Sequence, residues 1–130
     1  MTTLLAVTAI VEAVTGLALL LSPSLLVSML LGSSLHTPAA LTVGRVAGAA
    51  LLSLGVACWL GRRDESRRAA TGLVAAMLLY NTATALLVHA RIGLGLFGIA
   101  LCPAVALHGV LTVWCIACLW RQRVDGGDGD

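Results

Sequence analysis

Residues 4–21 read LLAVTAIVEAVTGLALLL, eighteen positions of which all but Glu12 sit in hydrocarbon or tolerate it. An apolar run of about 20 residues matches the thickness of a bilayer core. The segment therefore predicts a membrane-spanning helix, with one carboxyl that has to be accounted for. The whole chain agrees with that reading. Its 130 residues are 59% hydrophobic and 11% charged, with a mean hydropathy of +1.01. A water-facing domain carries about 25% charge. A transmembrane β-barrel needs strands of about 10 residues with alternating hydropathy, and no such alternation occurs. The expected fold class is all-α: a four-transmembrane-helix bundle with a short interfacial helix after the first span. The net charge of +2, carried by arginine alone, is too small to suggest nucleic-acid binding.

The first apolar run is not expected to be a cleaved leader. Such leaders carry a basic segment before an apolar stretch of 7–15 residues, whereas no Lys or Arg precedes Arg45. The spans are expected at about 3–21, 39–60, 69–89 and 94–120. After the first, Ser22 and Pro23 mark a helix start, since proline suits the first helical position. Residues 23–31 are too few to cross, and Gly32 stops them, so they form the short interfacial helix. Residues 1–123 make one membrane domain, and the Gly- and Asp-rich residues 124–130 form a disordered tail.

Arginine placement sets the expected orientation. Arg62, Arg63, Arg67 and Arg68 lie in the turn between spans two and three, and Arg121 and Arg123 follow span four. Arg45 and Arg91 lie toward the other side. The positive-inside rule then puts both termini in the cytoplasm, in a multi-pass protein of the inner membrane whose first partner is the lipid bilayer. Trp59 and Trp120 fall where an aromatic belt is expected.

Helical rise places Glu12, Asn81 and His108 at similar depths, about 13–18 Å from the cytoplasmic edge. Tyr80 adjoins Asn81. Thr8 and Thr15 share a face with Glu12, Thr84 lies one turn from Asn81, and Thr112 lies one turn from His108. A mid-span acid or base costs about 2.5–3.5 kcal/mol against lipid. Glu12, Arg45, Asn81, His108, Tyr80 and Thr15 are therefore the candidate site: an inward polar layer in which Glu12 pairs with Arg45, His108 or Asn81, ranked in that order by electrostatic gain. In one reading the layer holds helices together. In the sharper one Glu12 exchanges a proton and belongs to a site for a proton, cation or small molecule.

Gly44 and Gly48 form a G-x-x-x-G, Gly55 lies seven residues on, and Gly16 and Gly72 add small surfaces. Such spacing lets helices approach closely. Most matches serve packing within one chain; a homo-oligomer face through Gly44 and Gly48 is the other reading. Pro103 is expected to kink span four. Cys115 and Cys118 have C-x-x-C spacing, but at a helix C-terminus the dipole opposes a thiolate. They read as apolar packing, with Cys58 and Cys102. His89 and His108 are about 15–20 Å apart along the normal, too far to ligate one haem, and His36 is a loop residue. No metal and no cofactor is expected.

The pieces IVEAVTGLALLLSP, GRVAGAALLSLGVACW, AAMLLYN and CPAVALHGVLTVWC cover most of the chain and resemble a group of small bacterial four-helix membrane proteins of unassigned function. The resemblance implies topology without an activity, and it singles out Glu12, Pro23, Arg45, Gly48, Tyr80, Asn81, Pro103 and His108. AIVEAVTG is also similar to the first helix of small multidrug exporters, although the later helices depart from that pattern. The expected function is that of a structural, accessory or small-ligand-binding membrane protein without recognisable catalytic groups. The alternative is a proton- or cation-coupled transporter working as an oligomer through Glu12.

Overall fold

In a computed structural model, which describes residues 1–63 and 68–127, the regular elements of the described residues are all helices. Its helices are α1 (Thr2–Leu21), α2 (Pro23–Leu31), α3 (Pro38–Gly61), α4 (Arg68–Ile92) and α5 (Leu101–Gly127). Four of them, α1, α3, α4 and α5, are long and apolar enough to cross a membrane. Their outer faces carry exposed apolar side chains such as Leu79, Leu86, Val113 and Trp120. Water would not tolerate that surface, but lipid matches it.

The bundle is built from two antiparallel pairs. Helix α1 packs most closely on α3, and α4 on α5, while the pairs meet each other less extensively. Glycine sets the first pair. A Cβ on Gly16 would lie 2.6 Å from the carbonyl oxygen of Gly48, and one on Gly48 would lie 2.7 Å from that of Gly16. Gly55 faces the backbone of Ala9 and Ala13 in the same way. Helix α1 is the most enclosed, with 39% of its apolar window buried against 17% in each other span. It touches all the others, so Glu12 sits on the central helix.

The expected close-packing role thus holds for Gly16, Gly48 and Gly55. It fails for Gly72, which has nothing within 4 Å of a built Cβ. Gly44 is covered by Pro23 and Leu35, and Gly48 by α1. Both glycines thus have neighbours within the chain.

Helix α2 begins with Pro23 at its first turn and ends at Gly32, whose φ of 69° is left-handed. It folds back against the bundle. The Ser24 hydroxyl donates to the Leu35 carbonyl (3.2 Å) and accepts from the Leu35 amide (3.1 Å). Two carbonyls at its C-terminal end, on Met29 and Leu30, accept from the amides of Ala100 (2.8 Å) and Gly98 (3.1 Å). Helix ends leave such carbonyls without intrahelical partners, so the segment before α5 completes α2. Substituting Gly32→Ala is expected to cost about 1–3 kcal/mol, from the left-handed backbone and overpacking together. The added methyl would meet the Phe97 carbonyl at 2.6 Å. The measurement is the midpoint of thermal unfolding in detergent; an unchanged midpoint would contradict this account of the α2 stop.

Span four starts later than hydropathy suggests. Residues 93–100 are irregular, with Gly95 at φ 72°, and their backbone is engaged with α2. Pro103 consequently falls in the first turn of α5, where its missing N–H breaks no internal bond. The internal bond whose loss underlay the expected kink is therefore not lost. At the other end α5 continues to Gly127, so the expected disordered tail is helical from 124 to 127, and 128–130 lie outside the described residues. The centre of the arginine-rich turn, with Arg67, also lies outside them.

The termini end is tied across helices. The Thr71 hydroxyl donates to Gln122 Oε1 (3.1 Å), and the Gln122 amide donates to the sulfur of Met1. Arg62 closes α3 by donating to the Trp59 carbonyl and stacking 3.4 Å over its ring.

Candidate functional site

Glu12 is 1% exposed, and Thr8, one turn before it, is fully buried. Both face the seam between the two helix pairs. The α4 residue brought to them is Tyr80, whose hydroxyl approaches the Glu12 carboxyl and also reaches Thr84. Glu12 Oε1 and Thr8 Oγ1 are nevertheless left without a hydrogen-bond partner.

Beside them lies a satisfied pair. Asn81, fully buried on α4, donates from Nδ2 to the Met77 carbonyl at 2.7 Å. Its Oδ1 stands 2.7 Å from His108 Nδ1 on α5. A carbonyl only accepts, so Nδ2 faces Met77 and Oδ1 is left for the imidazole. Nδ1 of His108 must then carry the hydrogen, and in the neutral ring Nε2 keeps the lone pair. The Tyr80 and His108 rings meet edge to face, with centroids 5.7 Å apart. Thr112, a turn beyond His108, donates to its carbonyl at 2.8 Å.

Adjacent residues of α4 thus serve different neighbours. Tyr80 and Asn81 are about 100° apart round the helix, and α4 touches both α1 and α5. That separation lets Tyr80 address Glu12 while Asn81 addresses His108. The structure therefore gathers Glu12, Tyr80, Asn81 and His108, as the shared depth implied. It does not gather Arg45, which is exposed. Register explains the difference. Gly16 faces Gly48 and Leu52, and Gly55 faces Ala9 and Ala13, so Arg45 is level with the end of α1, about nine residues or 13–14 Å from Glu12. Ranking Glu12's partners by charge put Arg45 first; helix register puts Tyr80 there. Thr15 is half-buried one turn along from Glu12. Thr8, whose spacing of four puts it on Glu12's face in the sequence but outside the candidate set, joins the site here.

Closure around the layer is uneven. Toward the termini, Leu4, Leu5, Cys58, Val74, Met77, Leu111 and Cys115 form one buried cluster. Cys58 and Cys115 pack there as free thiols, while Cys118 is half-buried and Cys102 exposed. Away from the termini, no residue of α4 between Thr82 and Ile92 is buried, nor any of α5 between Cys102 and Val110. The seam is shut on one side of Glu12 and looser on the other. His36 and His89 are exposed and outside the layer. Among the described residues no three His, Cys, Asp or Glu side chains are grouped to hold a metal ion.

Comparison with known proteins gives no match to a family model, a curated protein or a solved structure.

Proposed function

We propose that this chain is a small-ligand-binding protein of the membrane, with Glu12 as its binding group and the Asn81–His108 pair as the structural part of the same layer. The observation that carries the proposal is the free oxygen of a carboxyl that is 1% exposed. A buried polar atom without a partner costs about 1–3 kcal/mol, and a group retained only for cohesion would have its partners. The orientation that best fits the arginines has both termini in the cytoplasm. The looser half of the seam then faces outward. The resemblance of AIVEAVTG to the first helix of small multidrug exporters is in keeping with this reading.

The test is Glu12→Gln. Glutamine keeps the shape and removes the charge, so the variant is expected to insert, fold and melt within about 1 kcal/mol of the parent, or above it. A large drop in melting temperature would show instead that the carboxyl is a structural tie.

A further inference from the structure

We propose that Thr8 and Glu12 form a site for one small monovalent cation, held by oxygen ligands and exchanged for a proton. The proposal rests on the binding role assigned to Glu12 and names its occupant. Both partnerless atoms are oxygens, on residues four apart that share one helix face. Side chains at that spacing have Cβ atoms about 5–6 Å apart. Hard cations take oxygen ligands at about 2.3–2.6 Å, so an ion bridging two oxygens spans about 5 Å. Two unpartnered oxygens carried one turn apart on the same helix face are placed to share a single ion. The Tyr80 hydroxyl supplies a third oxygen from α4.

Charge selects sign and valence. A carboxylate repels anions, and one carboxylate balances one positive charge. A divalent ion would leave a net charge buried, which is costly. Among the described residues no cationic side chain is brought to Glu12, and Arg45 lies at another level and is exposed. The titratable groups facing Glu12 are Cys58 from α3 and Tyr80 from α4, with His108 of α5 behind the Tyr80 ring. None of the three needs to carry positive charge for the site to work. When the ion binds, the carboxyl O–H bond breaks and the proton leaves to solvent. The net charge of the site is then unchanged.

The experiment is thermal unfolding of the full chain in detergent with sodium chloride, at constant ionic strength made up with choline chloride, at several pH values. A ligand that binds only the folded state raises the melting temperature with the logarithm of its concentration. Sodium is expected to raise it by about 5 °C per tenfold increase above its dissociation constant. The effect should be present at high pH and fade as protons compete. Glu12→Gln should abolish it, and Thr8→Val should cut it by half or more. Lithium, potassium and ammonium arms separate the sources of the same chemistry. No rise with any of these ions overturns the proposal, as does a rise that survives Glu12→Gln. If Glu12→Gln folds normally but no ion acts, the occupant named here is wrong while Glu12 remains a binding group. If Glu12→Gln unfolds the chain, the binding role itself fails.

Discussion

Replacing Gly48 with leucine should unfold the α1–α3 pair, and with it the bundle. The first added carbon would stand 2.7 Å from the Gly16 carbonyl oxygen and 2.8 Å from both the Leu20 amide nitrogen and the Leu19 Cβ. Backbone atoms cannot swing aside as a side-chain tip does, so the helices must separate. Overpacking of a well-filled interior costs about 1–3 kcal/mol and occasionally more; with main chain as the obstacle the expected loss is about 3 kcal/mol or above. Helix α1 touches every other helix, so the damage extends beyond its partner. Gly72→Leu is the control, because its site is open, and it should stay within about 0.5 kcal/mol. Melting followed by circular dichroism distinguishes them. A Gly48→Leu protein that melts like the parent would mean that the two helices are not in close register.

Asn81→Leu is the second large effect. It removes the acceptor of the His108 Nδ1 hydrogen, an oxygen on a fully buried residue. The unpaired N–H costs about 1–3 kcal/mol. The loss of the Met77 contact adds little, because that carbonyl also serves the helix ladder. The variant should also release the ring tautomer. Nitrogen-15 spectra of labelled histidine are expected to show hydrogen at Nδ1 in the parent and a mixture, or hydrogen at Nε2, in Asn81→Leu. An Nε2–H parent would contradict the orientation of the Asn81 amide.

Much of the architecture was readable because hydrocarbon imposes length. Four apolar runs, a proline after Ser22 and a glycine at 32 give the number of helices and the bounds of α2 nearly to the residue. Hydropathy does not record where backbone hydrogen bonds go. The residues before Leu101 are apolar enough to continue a span, yet the amides of Gly98 and Ala100 are committed to α2. The same limit applies to the layer. Depth along each helix is linear in sequence, which is why Glu12, Asn81 and His108 fall together. Which helix lies beside which is not linear. Charge ranks Arg45 first as a partner for Glu12, but the α1–α3 register sets it at another level, and Gly72, small enough for close packing, lies on an open face.

The union of α2 with the stretch before α5 has an evolutionary consequence. The two bonds that join them run from main chain to main chain, so of all replacements only proline at Gly98 or Ala100, which lacks the N–H, deletes one directly. Other replacements act through room and curvature: at Gly98, where a side chain would collide with the Met29 carbonyl, and at Gly32. Replacements other than proline are therefore expected to be tolerated more readily elsewhere in that corner than at Gly32 and Gly98, where an added carbon would meet main chain.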